Sequence, residues 1–150
     1  MTDKTGIRIK AIVLGVLADI GVSLVVGITY GIGLTVCMFI KGIRPEEIGT
    51  HLSGPMILIP SLLIGFGATL LGGFVAGRVA KHSEILHGAI VGALGIPLCF
   101  LDFGSFPLWF TVVSCVGLAP AGMMGGYLAR QKRLRTNNGQ PSSPADATRR

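Results

Sequence analysis

Between Ala11 and Ile40 the chain runs for thirty residues with a single charged side chain, Asp19, and three more long apolar runs follow before it turns basic. About 20 apolar residues in a helix cross a hydrocarbon core of roughly 30 Å, and lipid offers an open backbone no hydrogen-bond partners. These runs predict an all-α integral membrane protein. Charged residues make up 13% of the chain, against about a quarter in a soluble domain. That composition leaves room for one bundle and no soluble module.

Four transmembrane helices are predicted, at approximately 11–40, 55–77, 85–101 and 106–129. The second is bracketed by His51 and Arg78, and the fourth is uncharged until Arg130. The third is short and contains His87, so it borrows a turn from Lys81 to Glu84 or sits where the bilayer thins. The first is too long for a signal-peptide core of roughly 7–15 residues, and no small-x-small cleavage site precedes a polar mature sequence. It reads as a retained helix. Residues 1–130 then form the membrane domain. Residues 131–150, rich in Asn, Ser, Pro and Arg, form a basic cytoplasmic tail with little to bury and are expected to be disordered.

Basic residues set the orientation. With both termini cytoplasmic, eleven of the thirteen Lys and Arg lie inside: Lys4, Arg8, Lys10, Arg78, Lys81, Arg130, Lys132, Arg133, Arg135, Arg149 and Arg150. Only Lys41 and Arg44 face out, which fits the bias of insertion toward basic cytoplasmic flanks. Phe103, Phe106, Trp109 and Phe110 cluster at the opposite edge, as interfacial aromatics do. The net charge of +6 does not point to nucleic acid, because the cations sit at helix ends. There Arg78, Lys81, Arg130, Lys132 and Arg133 are candidates for anionic lipid headgroups, or simply obey the orientation rule.

The 23 glycines are not spread evenly. Gly65, Thr69, Gly73 and Gly77 recur every four residues in the second span, beside Ala68, Gly72, Ala76 and Ala80. Gly117, Ala121, Gly125 and Ala129 do the same in the fourth, beside Gly122 and Gly126. Ser23, Gly27 and Gly31 in the first span and Gly88 and Gly92 in the third continue the pattern. Residues four apart share a helix face, and small residues let helices in lipid approach closely. Such rows serve an intramolecular bundle or, where one faces outward, a partner helix.

ATLLGGFVA at 68–76 aligns with AGMMGGYLA at 121–129, and KAIVLGVL at 10–17 more weakly with HGAIVGAL at 87–94. The matches fit a duplicated two-helix hairpin, its copies parallel, and equally a chance likeness between glycine-rich helices.

The run GGFVAGRVAKHSEILHGAIVGALG, residues 72–95, resembles a widespread group of small, uncharacterised four-helix bacterial membrane proteins. Gly72, Gly73, Phe74, Ala76 and Gly77 match its Gly-Gly-aromatic-x-Ala-Gly helix end, and His87, Gly88 and Ala89 its His-Gly-Ala helix start. The resemblance covers the middle of the chain and implies a multi-pass protein of the bacterial inner membrane. That group has no settled activity, so it implies no mechanism.

Asp19 is the residue of greatest functional interest, because an ionisable group in hydrocarbon costs several kcal/mol on insertion scales and needs a partner or water. Counting nine residues inward from Lys10, at 1.5 Å each, places it about 13 Å deep; the same count from Arg78 reaches Thr69. Pro120 and Pro97 free the carbonyls of Val116 and Ala93 near that level. A proton or cation site of Asp19, Ser23, Thr69 and a freed carbonyl is conceivable. Against it, residues 20–40 suffice to span, which would leave Asp19 hydrated at the interface or merely hydrogen-bonded. His82, Glu84 and His87 lack the spacing of a metal site, and His87 reads as a polar cap on the third span. Cys37, Cys99 and Cys115 are expected as free thiols, and Asp102 and Ser105 as caps of a tight turn. No catalytic, cofactor or metal motif is predicted.

Three function classes follow. A structural or accessory subunit packing its small-residue faces on other membrane helices fits the glycine rows and short loops. A small oligomeric ion or solute transporter or channel would use Asp19, as a homo-oligomer. An intramembrane enzyme would need paired acids, a serine with a base, or a metal cluster at one depth, and the chain offers a single buried acid.

Overall fold

The computed structural model describes residues 8–101, 104 and 106–138. Among them are five α-helices and no strand: α1 Ile9–Ile40, α2 Pro45–Leu52, α3 Pro55–Ala80, α4 Glu84–Leu101 and α5 Leu108–Asn138. Lys4, the caps expected at Asp102 and Ser105, Phe103, and tail residues 139–150 with Arg149 and Arg150 lie outside the described residues. Three helices, α1, α3 and α5, are long and apolar enough to cross a membrane, while α4 is a shorter apolar helix.

Local chemistry sets the helix ends. Gly42, at a φ of 73°, takes the chain out of α1. Pro45 then opens α2, where a missing N–H costs nothing, and Glu46 and Glu47 oppose the helix dipole in its first turn. This short helix was not anticipated, because its eight residues carry no long apolar run. Pro55 opens α3 in the same way, and α3 stops where Lys81 turns left-handed at a φ of 61°.

The largest departure from the sequence reading is α5. It continues helically to Asn138, eight residues into the tail expected to be disordered. Three contacts hold it: Gln131 donates to the Tyr127 hydroxyl at 2.8 Å, Thr136 donates back to the Lys132 carbonyl at 3.0 Å, and Arg133 lies 2.8 Å from Glu84. Composition alone measured what the segment could bury and missed these partners.

α3, α4 and α5 pack on one another, and α1 lies against α3 and touches α4 more lightly. Gly122 of α5 is the hub. A Cβ there would meet the Gly88 carbonyl of α4, and one on Gly73 of α3 would meet the Gly122 carbonyl in turn. Gly125 approaches the Leu70 carbonyl, Gly126 the Glu84 carbonyl and Gly92 the Leu118 carbonyl, while Gly117 lies under the Phe66 ring. Gly77 is backed by the Ala129 Cβ at 3.0 Å. On the other side of α3, a Cβ on Gly15 of α1 would come within 2.6 Å of the Ala76 Cβ and 2.8 Å of the Gly72 carbonyl. Backbones this close gain van der Waals contact that larger residues would prevent.

The two hairpins do not pack in equivalent register. Gly15 faces Gly72 in the first; in the aligned positions of the second, Gly92 faces Leu118, about two turns from Gly125. Chain duplication, if it occurred, is not mirrored in the packing. Gly27, Gly31 and Gly65 of the predicted packing rows meet nothing within 4 Å.

One end of the bundle gathers the start of α1, the turn between α3 and α4, and the C-terminal half of α5. His87 pins it. Its ring is fully buried, its Nε2 accepts the Arg8 backbone N–H at 2.9 Å, and its Nδ1 lies 3.0 Å from the Ser83 carbonyl. The Arg8 contact requires Nε2 to be unprotonated, so Nδ1 carries the proton and donates to Ser83. His87 therefore does more than cap α4: it fastens the first turn of α1 to it.

Candidate functional site: a carboxylate beside a cavity among four helices

Asp19 stands ten residues inside α1, half-buried against α3. The close approach of Gly15 to Gly72 puts it there, since a Cβ on Gly72 would lie 2.7 Å from the Asp19 Cβ. Any larger residue at position 72 would push α1 away. Thr69, one turn earlier on α3 and buried, donates its hydroxyl between the two carboxylate oxygens at 3.3 and 3.4 Å. The pairing joins two residues that inward counting from Lys10 and Arg78 places at one level.

Beside this pair a cavity of about 520 Å³ opens among α1, α3, α4 and α5. Asp19, Ser23, Ser61, Thr69 and Ser114 supply its polar lining, with Gly65 leaving space on α3. Ser61 is already committed, donating to the Ile57 carbonyl at 2.9 Å. That carbonyl also receives the Tyr30 hydroxyl at 3.2 Å, which ties the far half of α1 to α3. The polar side chains available are one carboxylate and the hydroxyls of Thr69, Ser23 and Ser114, with Cys99 also on the lining. The oxygen groups around Asp19 suit a proton or a hard cation.

Asp19, Ser23 and Thr69 therefore come together on one cavity wall. The freed carbonyls do not join them, because neither Ala93 nor Val116 lines the cavity. Counting gave their depth but not the direction in which α4 and α5 turn those positions. The Thr69 bond sets the Asp19 carboxylate against α3, an arrangement that suits a proton or cation site and a simple inter-helix hydrogen bond alike.

The other predicted sites separate at the basic end. Arg78, Lys81, Lys132 and Arg133 line one cleft, and Arg130 lines its neighbour together with His82, Glu84 and Arg133. Among the described residues no group of three His, Cys, Asp or Glu could hold a metal. His82 and His87 meet edge to face at 6.0 Å, with both nitrogens of His87 already engaged. Cys37 and Cys115 carry free thiols, and Cys37 and Cys99 line different cavities.

Sequence reasoning missed the His87–Arg8 pin, the Glu84–Arg133 pair and Gly15. Only the last left a signal, since Gly15 aligns with Gly92 in the weaker repeat match. No protein-family model, no characterised protein and no solved structure matches this chain.

Proposed function

We propose that this chain is a four-span protein of the bacterial inner membrane, with both termini cytoplasmic, that takes up a proton or small cation at Asp19 as a small transporter or channel. Support for four crossings comes from the ends. Arg8 and Arg133 both contact the first turn of α4, which brings the start of α1 and the end of α5 to one end of the bundle, as an even number of crossings would. At 18 residues α4 is about 27 Å long, close to the hydrocarbon thickness.

The observation that carries the functional reading is the Asp19 carboxylate bonded to Thr69 on the wall of the 520 Å³ cavity. Most intramembrane acids face a bundle interior or water-filled cavity and mark ion or proton paths. Purified chain in liposomes loaded with a pH-sensitive dye tests it. Wild type is expected to dissipate an imposed proton or sodium gradient, Asp19→Asn to abolish that flux while keeping its elution volume, and Thr69→Val to reduce it. Flux no greater than in protein-free vesicles, or an Asp19→Asn variant as active as wild type, would sink the proposal.

A second reading, the accessory subunit, retains one supporting observation. Most of the small residues on α3, α4 and α5 are taken up within the chain, but Gly27 and Gly31 of α1 meet nothing. These two open glycines are what a partner helix or a second copy would pack on. A pull-down from native membranes separates the readings. Stoichiometric recovery of another membrane protein, lost in Gly27→Leu and Gly31→Leu, would favour the accessory role.

A further inference from the structure

A second concave feature lies at the basic end, between the last turn of α3 and the extension of α5, with a volume of about 370 Å³. Arg78 and Lys81 reach it from the end of α3, Lys132 and Arg133 from α5, and Glu84 lies between them. Glu84 is only 4% exposed, and Arg133 approaches its Oε1 at 2.8 Å without hydrogen-bond alignment. This pair fixes the side of the cleft that α5 would otherwise leave open.

Four cations and one acid share the cleft, a surplus of three positive charges. Among the described residues neither Lys81 nor Lys132 pairs with an acid, and the Arg78 guanidinium lies over the Phe74 ring at 6.0 Å. Like charges held around a concavity repel one another and raise the local potential, which an anion of matching size relieves. The cleft also stands where α3 leaves the apolar span, at the depth of headgroups. Lysine ammoniums beside a planar guanidinium suit the tetrahedral oxygens of a phosphate.

We infer that this cleft binds a terminal phosphate group, carried as a phosphomonoester by an anionic lipid headgroup or present as the free inorganic ion. Lys81 and Lys132 make the principal contacts, Arg78 stands alongside, and Glu84 positions Arg133. The site is independent of Asp19, which lies about nine residues deeper along its helix than Lys10.

Full-length protein in a mild detergent is titrated with phosphatidic acid, phosphatidylcholine and inorganic phosphate. Bound lipid is read by native mass spectrometry and phosphate by calorimetry. One phosphatidic acid per chain is expected, weakened at least tenfold by the double change Lys81→Gln and Lys132→Gln and unaffected by Arg135→Gln, which lies outside the cleft. Inorganic phosphate that binds with the same dependence on the variants identifies the free ion as a ligand; phosphate that neither binds nor displaces lipid identifies the headgroup source. Equal retention of phosphatidic acid by wild type and the double variant, or of phosphatidylcholine as readily as phosphatidic acid, overturns the inference.

Discussion

The two halves of the bundle are built by opposite means. At the basic end, backbones interlock through Gly15, Gly73, Gly88, Gly122 and Gly126, and His87 and Glu84 lie buried with partners. Toward the α2 end, Gly27, Gly31, Gly33, Gly65 and Gly67 meet nothing, α1 is largely exposed, and a mainly apolar cavity with a few polar groups separates the helices. Both halves are rich in glycine, so glycine content does not decide packing. What differs is contact: in the closed half Gly73 and Gly88 meet Gly122, and Gly15 meets Gly72, whereas Ser23 and Gly65 line the cavity from facing helices without closing it. At the border between the two regimes stands Asp19.

The sharpest break of this contrast is Gly122→Leu. Two helices approach its backbone at once, and no rotamer moves a Cβ off a carbonyl, so loss of the folded monomer is expected on size-exclusion chromatography and in thermal melts. Gly65→Leu, its counterpart in the open half, should leave both unchanged. Equal damage from the two would erase the distinction between the halves.

A smaller effect is expected from Arg133→Gln, which leaves Glu84 buried without its cation. Breaking a buried pair costs about 3–5 kcal/mol, and the half-exposed Arg133 side chain reduces this to about 1–2 kcal/mol. Limited proteolysis should then open α5 beyond Ala129, and adding Glu84→Gln should restore part of the protection.

The smallest effect belongs to Tyr30→Phe, which removes one partly buried hydrogen bond to Ile57, worth about 0.5–1.5 kcal/mol. Hydrogen exchange should quicken in residues 24–36 of α1 and stay unchanged near Ala11. A change of similar size at both ends would mean that α1 moves as a rigid rod.

Much of this was legible in the chain. Apolar runs bounded by charges predict α1, α3, α4 and the start of α5 to within a few residues, because transfer of charge into lipid is costly and local. Counting at 1.5 Å per residue aligns Asp19 with Thr69, because the rise per residue is the same in both helices. Less legible were α2, which has no apolar run, and the helical tail, whose order depends on a partner forty-nine residues away, at Glu84.

By itself the sequence determined that the chain is helical, that it holds helices long and apolar enough to cross a membrane, and where its apolar runs end at charges, all consequences of the free energy of each residue against its solvent. Only the tertiary structure decided which small residues meet. It also decided that His87 holds the Arg8 amide and that the proline-freed carbonyls turn away from Asp19. Those outcomes depend on helix rotation and register, set by many facing side chains together, and no single segment carries that information.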